Sequence, residues 1–214
     1  RQDCAPADSV GYFSILLKLN KIAMKKMRMI IPVVLILVLA FVSCQKIRHQ
    51  YLQEVDKDVV PYRLARTYRF VDGNDNTVTL GVNGIVDNWN TEHDDVWVQY
   101  RKFSMFSASG AFSLVIAVCG HEYGENRDSR KLSVSVWPSG LGTVIIKYNS
   151  SGEFIKDTGS YEYQQVYDSL LLGDQMYYNV AERVKPDSYK VYYNKAYGVL
   201  QVQNSEKIVL RRIP

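Results

Sequence analysis

The chain has 214 residues, with 26 Lys or Arg, 22 Asp or Glu, a formal charge of +4 and 47% hydrophobic residues. Six of the basic and two of the acidic residues lie in the first 43 positions, which leaves 20 of each and no net charge in the rest. A nucleic-acid binder needs a surplus of Lys and Arg against phosphate, so neither DNA nor RNA is an expected partner, and three cysteines in this length do not make a disulfide scaffold.

Residues 24–44 read MKKMRMIIPVVLILVLAFVSC. Lys25, Lys26 and Arg28 form a basic start, residues 30–42 are apolar apart from Pro32, and Ser43 precedes Cys44. This is the layout of a secretory signal peptide, ending in a cysteine rather than a small-x-small site. It resembles the signal of bacterial lipoproteins, in which a small or aliphatic triplet precedes an invariant cysteine. Phe41, Val42 and Ser43 stand in that place before Cys44. The resemblance implies a signal peptide over 24–43, cleavage before Cys44, acylation of its thiol and a protein held to the membrane by its acyl chains. Each buried CH₂ contributes about 0.8 kcal/mol to such an anchor.

Two other readings remain. A retained transmembrane helix needs about 20 apolar residues, against 14 in 29–42. An ordinary secretory signal would make Cys44 incidental. Residues 1–23 precede Met24, which begins the signal, and are expected to be a non-native or upstream extension; a genuine amphipathic extension is the alternative. By the same resemblance, Gln45 after the lipidated cysteine and the lack of an acidic cluster there imply the outer membrane, facing the periplasm. Lys46, Arg48 and His49 sit where anionic headgroups would attract them.

Residues 44–61 read as the lipidated cysteine and a charged, solvated tether. A short helix near 51–59 would be marginal at that length without packing. Residues 62–214 form the expected single domain, mainly β, as an antiparallel sandwich or a strongly curved sheet. Tyr68 and Phe70, then Val78, Leu80 and Val82, alternate with polar residues on either side of Asp72-Gly73-Asn74-Asp75-Asn76, a strand–turn–strand pattern. Val96, Val98, Tyr100 and Phe103 begin another strand. Residues 112–119 form an apolar run broken only by Ser113, which predicts a strand covered on both faces with Cys119 as a small buried hydrophobe. Leu132, Val134 and Val136 alternate; 144–148 leads into a hairpin loop, and Phe154 opens a return strand. The segments 175–184, 189–193, 198–203 and 207–213 follow at short spacing, which predicts an antiparallel meander. Tyr178, Asn179, Val180, Tyr192, Tyr193, Tyr197, Gly198, Val199 and Leu200 resemble the ending of small exported proteins of the Bacteroides group. That resemblance supports location and fold class.

Candidate chemistry is sparse, and no cofactor is implied. His93 and Asp95 in one segment, with His121 and Glu122 in another, combine imidazole and carboxylate and could ligate zinc, without the His-Glu-x-x-His spacing of a helical site. The loop from Asp72 fails as an EF-hand, since Thr77 and Asn83 stand at its sixth and twelfth positions. Trp89, Trp97, Trp137 and the tyrosines could line a sugar- or lipid-binding face. Asp168-Ser169-Leu170 resembles the O-glycosylation motif of the Bacteroides group, which would place a glycan on Ser169. The leading expectation is a lipid-anchored, non-enzymatic envelope protein that binds or scaffolds a glycan, a lipid or another envelope protein. The alternative is a metal-assisted periplasmic hydrolase using His93, Asp95, His121 and Glu122.

Overall fold

A computed structural model describes residues 48–93, 96–120, 129–137, 142–159, 161–186, 188–204 and 207–214. Residues 24–44 lie outside them, so the expected signal or anchor helix does too. The elements are β1 (Arg48–Gln50), α1 (Glu54–Asp58), β2 (Thr67–Asp72), β3 (Thr77–His93), β4 (Val96–Ser107), β5 (Ser113–Cys119), β6 (Arg130–Trp137), β7 (Thr143–Tyr148), β8 (Tyr163–Leu172), β9 (Gln175–Lys185), β10 (Tyr189–Asn194), β11 (Gly198–Asn204) and β12 (Ile208–Arg212).

Period-two patterning explains most of these strands. Leu114, Ile116 and Val118 of β5, Leu132, Val134 and Val136 of β6, and Val144 and Ile146 of β7 are all buried, with half-exposed residues between them. They face one another in register: Ile116 lies opposite Val134, which lies opposite Val144. A slip of one residue would turn this whole set outward, and each such side chain is worth about 1.5–3 kcal/mol in burial. β5 is thus covered on one face and only partly on the other, not doubly covered as its apolar run predicts, and Cys119 is half-buried.

The strands form one mainly antiparallel sheet in the order β7-β6-β5-β4-β3-β2-β12-β11-β10-β9-β8. Two meanders, β2 to β7 and β8 to β12, are joined where β12 pairs with β2, Leu210 facing Asp72 and Arg212 facing Phe70. The sheet curls into a nearly closed barrel, so of the two expected shapes the curved sheet is found. β1 pairs in parallel with the start of β4, on the side where β5 ends.

The two edges, β7 and β8, meet through the segment 154–157. Phe154 bridges to Tyr148 and Asp157 to Gln164, so Phe154 makes one bridge and no return strand. Gln164 is almost fully buried. Its side chain accepts from the Lys147 N–H at 2.8 Å and donates to the carbonyls of Lys147 and Ile155, both at 2.7 Å. One amide side chain thus replaces the ladder bonds missing at the seam. Arg183 reinforces it, 2.6 Å from Asp157 and 3.1 Å from Glu162.

The stretch expected as a solvated tether is instead part of the packing from β1 onward. Leu52, Asp56, Val59, Val60 and Tyr62 are buried. α1 is a single turn, too short to persist alone. It holds because Asp56 accepts from the Gln53 N–H at 2.7 Å, pairs with Arg130 at 2.7 Å and accepts from the Tyr148 hydroxyl at 2.9 Å. Tyr193 donates to the Val59 carbonyl at 2.8 Å. α1 therefore sits across one end of the barrel. The same end receives Tyr62, whose hydroxyl accepts from the Val199 N–H at 2.8 Å. Gly198 has φ +78°, and any Cβ there would collide with the Tyr62 ring, which explains glycine at this position.

Most buried apolar side chains belong to the barrel interior. A smaller cluster of Tyr177, Val180, Tyr192 and Leu200 packs on the opposite face of β9 to β11. A bulge in β11 makes this possible: Tyr192 pairs with Gln201 and Tyr193 with Val199, which leaves Leu200 as the extra residue.

Candidate functional site

β8 is the last strand of the sheet, and beyond its seam with Asp157 its outer edge borders a groove. The groove is about 700 Å³ and is lined by Lys156 and Thr158 on one side and Tyr163, Gln165 and Tyr167 on the other. A second hollow of about 580 Å³ shares Lys156, Val166 and Tyr167 and runs on to Asp168 and Ser169. Tyr163, Gln165 and Tyr167 alternate along β8 and so share one sheet face, opposite in parity to buried Gln164.

That face is organised by Glu182, which is buried on β9. Its carboxylate lies 2.6 Å from the Tyr167 hydroxyl, 2.9 Å from the Tyr192 hydroxyl and 3.7 Å from Lys190 Nζ. The Tyr167 hydroxyl is also 2.6 Å from Gln165 Oε1. It has one proton to give, and the charged carboxylate is the stronger acceptor. Burial and the bond to Glu182 push the Tyr167 phenol up to about 12. At neutral pH it is therefore a protonated, fixed aromatic ring and not a nucleophile. Aromatic faces, an amide, a hydroxyl and an ammonium in a groove of this size suit reversible binding of a polar ligand with C–H surface to stack.

No family model, curated protein or solved structure matches this chain.

The residues singled out from the sequence are distributed unevenly. Cys44, Asp95, His121 and Glu122 lie outside the described residues. His93 ends β3, its main chain opposite Val96. Gly120, which precedes His121, donates its N–H to the Gln99 carbonyl at 2.8 Å. Both positions thus fall at the same end of the sheet. Among the described residues, no three His, Cys, Asp or Glu side chains gather as metal ligands, and no helix is long and apolar enough to cross a membrane. Ser169 is exposed on β8 opposite Tyr178, at the far end of the groove. Asp72 accepts from the N–H groups of Asn74 and Asn76 at 2.8 and 2.9 Å, which hold its carboxyl below the usual range. The DGNDN loop is a hairpin turn.

The three tryptophans do not share a face. Trp89 and Trp97 stand on one side of the β3–β4 ribbon, whereas exposed Trp137 ends β6 at the opposite end of the barrel. The groove residues Lys156, Tyr163, Gln165 and Tyr167 were not legible as a site. Their one signal is the alternation Tyr-x-Gln-x-Tyr, which any half-buried strand can show.

Proposed function

We propose that this is a lipid-anchored cell-envelope protein that binds a glycan without transforming it, in the groove along β8. The reading of the anchor is supported by the basic start, apolar run and terminal cysteine of residues 24–44. The observation that carries the binding role is the row Tyr163, Gln165 and Tyr167 facing Lys156 in the groove, with Tyr167 held by Glu182. Stacking rings and adjacent amide and hydroxyl groups are what a sugar's alternating C–H and O–H surfaces require. The membrane-extracted protein, titrated calorimetrically with oligosaccharides from the bacterial envelope, is expected to bind a member of that set. Tyr167→Ala is expected to weaken binding about tenfold or more, corresponding to loss of roughly 1.4 kcal/mol. Equal affinity in Tyr167→Ala, or no binding across the set, rejects the groove. Mass spectrometry of the mature protein checks acylation of Cys44 and glycosylation of Ser169 together.

One observation favours a second reading, a metal-assisted hydrolase. His93 and the residue before His121 lie at the same end of the sheet, where Asp95 and Glu122 follow in sequence. Metal analysis of tag-free protein separates the two, since the hydrolase requires stoichiometric zinc that His93→Ala and His121→Ala abolish.

A further inference from the structure

The end of the barrel that carries α1 also carries an aromatic rim. The rings of His49, Tyr51 and Trp89 form one cluster, with Tyr51 and Trp89 edge to face at 5.2 Å and His49 and Trp89 at 5.4 Å. Trp97 pairs in register with His49 on β1 and with Thr91 on β3, while Trp89 pairs with Gln99. Alternation places Trp89, Thr91, Trp97 and His49 on one face. Tyr51 is 62% and Trp97 38% exposed, so these large rings face solvent. Among the described residues near the rim, Asp87 pairs with Arg101 at 2.6 Å and Glu54 with Lys57 at 2.6 Å.

Chain length says what this rim meets. Three residues, and so four Cα–Cα steps, separate Cys44 from Arg48 at the start of β1. Fully extended, that link reaches about 14 Å. Strand β4 has 12 residues, which at about 3.3 Å each is roughly 40 Å along the strand and, at the usual barrel tilt, roughly 30 Å along the barrel axis. A membrane anchor at residue 44 can therefore bring only the α1 end to the bilayer. The apolar run that ends at Val42 imposes the same limit if it is retained. Trp and Tyr favour the headgroup level of a membrane, where the ring is shielded and its polar edge stays wet.

We infer that the rim of His49, Tyr51, Trp89 and Trp97 lies in the bilayer interface, so that the barrel docks on its α1 end and turns the opposite end, with Trp137, away from the membrane. The inference rests on the anchor proposed above. It gives the anchored domain a fixed orientation rather than a loose tether.

Trp137 supplies an internal control, being 64% exposed and about nine residues, or roughly 30 Å, further along the strands. Full-length protein is reconstituted into phosphatidylethanolamine–phosphatidylglycerol vesicles containing lipids brominated near the headgroup. Flotation first reports whether the protein is anchored. Variants that keep a single tryptophan, with Phe at the other two sites, are then compared. Quenching of Trp89 and Trp97 is expected to exceed that of Trp137 by about twofold or more. Equal quenching at the three sites in floating protein overturns the rim while leaving the anchor. Failure to float overturns both. Oxidative footprinting of unaltered protein gives the same comparison without substitutions: Tyr51 and Trp97 should be protected by vesicles and Trp137 not, and equal labelling of all three rejects the inference. Protection of the rim by an envelope oligosaccharide in the absence of lipid would also reject it, in favour of a ligand platform.

Discussion

Asp56 shows how much one side chain can decide. It is completely buried and meets Arg130, which is only 5% exposed, while Gln53 Oε1 takes a further Arg130 hydrogen bond at 2.6 Å. Removing one member of such a pair strands the other charge in the interior. Asp56→Asn is therefore expected to lower stability by about 3–5 kcal/mol, read as a drop in the urea midpoint. Nothing in Gln53-Glu54-Val55-Asp56-Lys57-Asp58 marks which carboxylate is buried, because a charged run looks the same whether it faces water or a single distant arginine. That partner lies 74 positions away, beyond the reach of local pattern.

The phenols make the second prediction at this scale. Burial, above all other causes, pushes Tyr62 up to about 12, and burial also raises Tyr189 to about 12. In the unfolded chain these groups ionise near 10. The folded state thus holds the proton more tightly, so the stability they contribute is present below about pH 10 and is lost as pH rises towards 12. Urea midpoints should fall across that window, with phenolate absorbance lagging that of free tyrosine. On the acid side the sign reverses. The hydrogen bond from Arg101 holds Asp87 below its usual value; burial raises Asp157, but bonds from Arg183 and Lys147 outweigh it and leave it lowered. Their contribution is present above about pH 4 and is lost below it.

Among the elements, the strands with clean alternation were legible: β5 to β7 through Leu, Ile and Val, and β9 to β12 through their regular spacing. Two stretches were not. β3 runs on to His93 through Gly81, Asn83, Gly84, Asn88 and Asn90, residues that disfavour strands and are carried here by pairing with β4. β8 reads YQQVYDSLLL, with apolar and polar residues too mixed to show a face, because one of its faces is the Glu182 network. The seam is also an element-scale device. Gln164→Leu keeps the volume but leaves the Lys147 N–H and the Ile155 carbonyl without their partner, and the Lys147 carbonyl with only the Ile155 N–H at 3.3 Å. It is expected to cost about 3 kcal/mol, and amide exchange at Lys147 and Ile155 should accelerate well beyond that of β5 and β6.

For the whole molecule, mainly antiparallel β structure followed from composition and turn spacing, whereas closure did not. Two meanders can stack as a sandwich or curl into a barrel, and the choice depends on one long-range ladder, β12 with β2, and on a seam filled by a glutamine. Neither leaves a periodic trace. Leu210 is fully buried in that ladder. Leu210→Ala should cost about 2–5 kcal/mol. Since β12 joins the halves, loss of its packing is expected to split the unfolding transition, with β8 to β11 losing exchange protection before β5 to β7. A single coincident transition for all strands would show that closure and core form together.

Because only residues 51–53 separate β1 from α1, a pull applied to the chain at β1 has no slack to take up. Tension would peel three residue pairs from β4 and then load the Asp56–Arg130 contact, drawing the stopper out of the barrel mouth before any meander unravels. The first strand and the lock are the same piece of chain.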